Sequence, residues 1–228
     1  MFVNRTMTKE VITIGPDASA FDARDLMQKH RIRHLPVIRE DGYLVGMVTD
    51  RDLRSIIPHE YYRTADPAIR KECQLPDEDL KIDQIMTTDL IKITPMDTIQ
   101  DALLLVQRAK VGALPVVDER NRLHGIISVR DLLRAFINVL GIGEPGTLLC
   151  VLAEEKVGQL KKIVDAVTEE KISLGSILVA RYWDEEKRAV FCYLLTLNVR
   201  TIKEKLKGLG FTLLEPMQWY LDQLPKRD

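Results

Sequence analysis

Gly46-Met47-Val48-Thr49-Asp50-Arg51-Asp52 recurs as Gly125-Ile126-Ile127-Ser128-Val129-Arg130-Asp131, and Leu35-Pro36-Val37 recurs as Leu114-Pro115-Val116, all at one spacing of 79 residues. Outward from these stretches, residues 7–53 align without a gap on residues 86–132. A duplicated unit that buries its open face on its twin sets two equivalent polar sites across one seam. Such a seam is a natural place for a ligand.

Each copy carries the same order of signals. Val11-Ile12-Thr13-Ile14 and Leu90-Ile91-Lys92-Ile93 are β-prone runs, each followed two residues on by a proline, Pro16 or Pro95. Helical spacing comes next: Phe21, Ala23, Leu26 and Met27 in the first copy, Ile99, Ala102, Leu103 and Val106 in the second. Asp17 and Asp97 are the expected caps of those helices. Apolar runs on either side of Glu40-Asp41-Gly42, and of Arg120-Asn121, predict β-hairpins. A second helix is expected to begin at Thr49 or Ser128. The predicted unit is β-α-β-β-α.

Residues 55–81 interrupt this pattern with Pro58, Pro67 and Pro76, as a linker with one short helix near residues 68–73 and a packing pair, Tyr61-Tyr62. Gly141-Ile142-Gly143-Glu144-Pro145-Gly146 marks a domain break. Beyond it, expected strands at 148–152, 177–182, 189–197 and 211–214 and helices at 158–168 and 201–209 give β-α-β-β-α-β, the split βαβ sandwich. The fold class is thus mixed α/β (α+β). Repeats are expected at 1–57 and 82–140, a linker at 58–81 and another at 141–146. A C-terminal domain at 147–215 and a tail at 216–228 carrying Trp219 and Tyr220 complete the division.

The 228-residue chain is 46% hydrophobic and 29% charged, a globular balance with room for two cores. A formal net charge of −1 disfavours nucleic-acid binding. No apolar run approaches the ~20 residues of a membrane span, and Met1-Phe2-Val3-Asn4-Arg5 lacks the regions of a secretion signal. Cys73, Cys150 and Cys192 are odd in number and widely spaced, and the last two fall in apolar runs as buried thiols. A reduced, cytoplasmic setting is expected. His30, His59 and His124 show no metal-ligand spacing.

The chemistry concentrates in Gly-x-x-(Thr/Ser)-x-x-Asp. One reading is a capping box, with Thr49 and Ser128 as caps and Asp52 and Asp131 reaching back to the cap N–H. Against it, that reach is usually made by Glu or Gln, and Asp is one methylene shorter. The other reading is a ligand site. A helix N-terminus with a hydroxyl suits a phosphate, and a carboxylate beside it can accept bonds from two sugar hydroxyls. Both readings stand on the residues alone.

With the Met7-Thr8 and Met86-Thr87 openings, both Leu-Pro-Val strands and both closing motifs in order, the tandem units resemble a pair of CBS domains, the Bateman module that senses adenosine-containing ligands. The resemblance covers residues 7 to about 138. It implies that Asp52 with Thr49, and Asp131 with Ser128, hold ribose and phosphate. Residues before the Leu-Pro-Val strands, Arg33 and His34 in one copy and Gly112 and Ala113 in the other, would line adenine or reach phosphate. Gly15 and Thr94 would also touch the nucleotide. Because Arg33-His34 carries charge and Gly112-Ala113 does not, two unequal sites are expected. The resemblance implies no required cofactor, only an adenine nucleotide (AMP, ADP or ATP) as regulatory ligand.

The C-terminal unit resembles an ACT domain over about residues 147–215. Val157-Gly158-Gln159-Leu160 stands at the first strand-to-helix turn, and Ile172-Ser173-Leu174-Gly175-Ser176-Ile177 leads into the second strand. In that family the turn borders an amino-acid pocket formed between subunits, which implies an amino-acid ligand and a homodimer. Val157 replaces the family's proline, and the nearest charges are Glu154, Glu155 and Lys156. A dimerising ferredoxin-like module without ligand is the alternative. A CBS pair followed by ACT resembles bacterial acetoin-utilisation B-type proteins, which suggests a pathway only by analogy.

The expected function is therefore ligand sensing on behalf of an unidentified regulated protein, without membrane, nucleic acid or metal. A structural dimerisation protein with vestigial sites is the alternative. An enzyme is disfavoured, because no nucleophile–base pair, P-loop or metal motif is present and no catalytic residue can be named.

Overall fold

The computed structural model describes residues 1–57, 80–141, 143–180 and 186–214. The expected short helix near 68–73, the Tyr61-Tyr62 pair, Cys73 and the tail lie outside them. The chain forms two compact units, Met1–Leu133 and Arg134–Asp228.

In the first unit the two copies fold alike. One contains α1 (Ala20–His30), β1 (His34–Ile38), β2 (Leu44–Thr49) and α2 (Asp50–Ile56). The other contains α3 (Ile99–Ala109), β3 (Ala113–Val117), β4 (Leu123–Ser128) and the start of α4 (Val129–Leu140), whose residues from Arg134 on fall in the second unit. Both hairpins are antiparallel and carry a bulge at the same place, Val37/Ile38 and Val116/Val117. Their turns need a left-handed residue at equivalent positions, met by Gly42 (φ 80°) and Asn121 (φ 59°), two residue types that tolerate that region. The turns also pair with each other: Leu44 N–H donates to Asn121 O at 3.0 Å, and Leu123 N–H donates to Gly42 O at 3.1 Å.

Two local expectations are corrected. The β-prone runs before Pro16 and Pro95 do not become strands. Each makes one parallel bridge, Ile14 to Val37 and Ile93 to Val116, and the proline that follows ends the pairing. The caps of α1 and α3 are Ser19 and Thr98, not Asp17 and Asp97. Ser19 Oγ accepts from Phe21 N and Asp22 N, and Thr98 Oγ1 accepts from Asp101 N, each in a reciprocal box with the third helical residue. Asp97 instead accepts a bond from Thr94 N at 2.7 Å.

The repeats exchange their leading segments. Val3, at the head of the chain, is fully buried in the core of the second copy with Ile99, Leu114, Val116 and Ile127. Ile82, its equivalent, is fully buried in the core of the first copy with Ile14, Met27, Leu35 and Leu53. The backbone bonds repeat the exchange. Val3 N–H donates to Asp97 O (2.8 Å) and Ile82 N–H donates to Ala18 O (3.0 Å). Further along, Thr8 bridges Ile126 and Thr87 bridges Met47. At these crossings Gly46 and Gly125 lie tight against the other copy: a Cβ would stand 2.4 Å from Met86 Sδ and 3.1 Å from Thr87 O, or 2.6 Å from Met7 Sδ and 2.9 Å from Thr8 O. The duplicated glycine leaves room there for the other copy's methionine and backbone.

The second unit folds β5 (Thr147–Glu154), α5 (Gln159–Glu169), β6 (Leu174–Ala180), β7 (Lys187–Leu194), α6 (Arg200–Gly208) and β8 (Thr212–Leu214). Its sheet order, β6-β7-β5-β8 with antiparallel neighbours, is the split βαβ topology. Alternate residues of β5, Leu149, Val151 and Ala153, point into a core shared with Ile163 and Val167 of α5 and Ile202 and Leu206 of α6. Cys192 is buried there, and burial pushes its thiol up to about 11; the partly exposed Cys150 thiol is raised for the same reason. Both stay protonated and unreactive near neutral pH. Among the described residues no helix is long and apolar enough to cross a membrane.

Candidate functional site

The strand-to-helix junction β2–α2 is built by the repeated motif. Thr49 N–H donates to Asp52 Oδ2 at 2.8 Å, Thr49 Oγ1 donates to the same oxygen at 2.7 Å, and Asp52 N–H donates to Thr49 Oγ1 at 3.3 Å. Ser128 and Asp131 repeat this at 2.9, 2.6 and 3.3 Å. Aspartate therefore does close the capping box; the hydroxyl turns toward the carboxylate, and one oxygen takes both bonds. That geometry fixes the Asp rotamer at the head of the helix, as a ligand site also requires. A second clamp holds the residue before each hairpin to the helix start: Asp50 N–H donates to Arg33 O (3.0 Å) and Val129 N–H to Gly112 O (3.1 Å).

Within this unit a cleft of about 620 Å³ gathers Arg33, His34, Thr49 and Asp52 from the first copy and Gly112 and Ala113 from the second. Six expected residues thus converge, but not as expected. Arg33-His34 and Gly112-Ala113, expected in two unequal sites, line the same cleft. His34 packs so close that a Cβ on Gly112 would stand 2.5 Å from His34 Nε2. Ser128, Asp131, Gly15 and Thr94 are not on this lining. Asp131 is buried at the start of α4, and Gly15 and Thr94 are exposed.

The cleft also takes Thr87, Asp89, Leu90, Ile91 and Lys110, and Asp50 and Arg51, none of them among the site residues expected from the sequence. The signal for Thr87 to Ile91 was available in the second Met-Thr opening, had its crossing to the other copy been recognised. Among the described residues Arg33, Arg51 and Lys110 stand with Asp50, Asp52 and Asp89, equal in number, around a partly apolar wall. It can seat a flat apolar ring beside a polyhydroxyl group.

Burial holds the His34 imidazole below its ordinary value of 6.5, and the Arg33 charge adds to this, while Asp52 and Asp50 pull the other way. The folded chain then binds this proton later than the unfolded chain as pH falls. The stability contributed by His34 is complete above pH 6.5 and declines below it, down to the folded-state value. Urea midpoints at pH 7.5 and 5.5 should therefore differ less for His34→Gln than for wild type. An equal difference would show that His34 is not desolvated.

In the second unit a cleft of about 350 Å³ is lined by Val157, Gln159 and Leu160 of the expected turn and by Glu154, Glu155 and Lys156 beside it. Arg188 of β7 and Val179 of β6 complete it. Gly158 forms the turn itself at φ 91°, a conformation that favours glycine. Arg188 is ion-paired with Glu155 and Lys156 with Glu154, so the pocket carries two cation–carboxylate pairs.

The fold and cleft of the first unit define a duplicated α/β module built around a shared seam. The chain belongs to the CBS-domain family, whose model, described as CBS domain, matches residues 3–59 and 82–138. It is 30% identical over 155 residues to the CBS domain-containing protein YhcV of Bacillus subtilis, covering 68% of this chain and 97% of that protein. It is 36% identical over 120 residues to an inosine-5'-monophosphate dehydrogenase of Halalkalibacterium halodurans, covering 52% of this chain. That match spans only 21% of the enzyme, so the likeness concerns a part of it. A solved Vibrio cholerae structure, provisionally assigned as an acetoin utilization protein (AcuB), superposes with a TM-score of 0.51 at 27% identity, covering 64% of this chain and 98% of that one.

Proposed function

We propose that the chain is a regulatory protein that binds an adenosine nucleotide of the AMP, ADP or ATP class in the cleft of its first unit. The observation that carries this is the convergence of Asp52, Thr49, Arg33 and His34 with Gly112 and Ala113 around about 620 Å³. Asp52 accepts from the ribose hydroxyls, the cations meet phosphate, and the ring lies against Leu90, Ile91 and Ala113. Asp131 and Ser128 hold a second ribose at the equivalent junction. Occupancy biases the relation between the two copies, which are already cross-linked by exchanged segments.

The second unit is an ACT-like module, a reading supported by its sheet order and by the cleft that Val157, Gln159 and Leu160 line beside the Gly158 turn. An amino acid would meet Arg188 and Glu155 there, and the chain would act as a homodimer in the cytoplasm upon a separate regulated protein. The link to acetoin metabolism rests on the likeness to the Vibrio cholerae protein.

A thermal-shift panel of AMP, ADP, ATP, S-adenosylmethionine and the amino acids tests this. A ligand at a hundred times its Kd should add about 2.7 kcal/mol of stability. No shift with any adenosine compound would favour a structural dimerisation protein instead.

A further inference from the structure

Beside that cleft lies a second one of about 400 Å³, and among the described residues its charges are unequal. Of those residues, Arg31, Arg33, Arg54 and Arg130 line it with one carboxylate, Asp50. Asp50 Oδ2 already accepts from Arg54 Nε at 2.8 Å. Among the described residues, Arg31, Arg33 and Arg130 have no ion pair. Three guanidinium groups gathered in one concavity repel one another unless an anion joins them, and their planar forks match phosphate oxygens. The backbone adds a second indication. Arg31 ends α1 in the left-handed region at φ 53°, where glycine is usual. Its equivalent, Lys110, does the same at φ 55° and lines the larger cleft. Each copy therefore keeps a long cation at a strained helix end that borders a cleft.

We propose that Arg31, Arg33 and Arg130 form an oligophosphate site. The two clefts share Arg33 and Asp50 in their linings, so they adjoin. The oligophosphate is either the tail of a nucleotide seated in the larger cleft, which rests on the adenosine reading, or a free inorganic chain, which does not. The asymmetry belongs to the sequence: positions equivalent to Arg33 and Arg54 are Gly112 and Leu133, so duplication alone does not supply this cluster.

The test is calorimetric titration of the full chain, at low salt and without divalent cations, with AMP, ATP and inorganic tripolyphosphate. Wild type is compared with Arg31→Gln, Arg130→Gln and, as a charge control in the other unit, Arg200→Gln. Each cleft variant should lose tenfold or more in affinity for whichever oligophosphate binds, while AMP binding and the Arg200→Gln control change less than twofold. Loss for tripolyphosphate identifies a free-standing anion site; loss for ATP alone identifies a nucleotide tail. Equal affinities of both cleft variants and wild type for ATP and tripolyphosphate, or no oligophosphate binding at all, overturn the proposal even if AMP binds. Arginine-dependent tripolyphosphate binding without any AMP binding would sustain it and refute the adenosine reading.

Discussion

Ile82→Ala should lower stability by about 2–5 kcal/mol, the cost of removing a fully buried isoleucine and leaving a cavity. In a chain of this size each kcal/mol corresponds to roughly 2–4 °C in Tm. Ile82 opens the second copy in sequence, yet its side chain is fully buried among Ile14, Met27 and Leu53 of the first. The loss thus falls on the core of a repeat from which Ile82 is distant in the chain. Urea unfolding with two probes measures it. A loss below about 0.5 kcal/mol, the range of ordinary surface changes, would mean that the segment does not cross between copies.

Asp52→Asn should weaken AMP binding by roughly 10- to 100-fold, because hydrogen bonds to a charged group contribute about 1.5–3 kcal/mol. Asparagine can still accept from Thr49 N and Oγ1, and removal of a cap costs only about 1 kcal/mol at most sites. Titration calorimetry of the variant, checked for an unchanged unfolding midpoint, therefore separates ribose recognition from helix capping. Unchanged affinity with an intact fold would remove Asp52 from the binding reading.

Much of the first unit was legible because duplication doubles every signal. Leu-Pro-Val, the hairpin turns at Gly42 and Asn121, and helix starts at Thr49 and Ser128 all fell where the spacing put them. The exchange was not legible: periodicity shows that Val3 and Ile82 face a core but not which copy's core. The same limit hid that Arg33-His34 and Gly112-Ala113 line one cleft, since the partner across a seam is a tertiary fact. Asp17 and Asp97 lost the capping role to Ser19 and Thr98, which stand directly before the first helical residue. In the second unit the order of elements was legible from alternation, whereas Arg188 joined its cleft through strand register.

The most direct measurement is a crystal structure of the full chain grown with saturating AMP. The account predicts both ribose hydroxyls within hydrogen-bond distance of the Asp52 or Asp131 carboxylate, with the base against Leu90, Ile91 and Ala113 or the equivalent wall of the other copy. Nucleotide bound elsewhere, or both junctions holding only water at millimolar AMP, would contradict it.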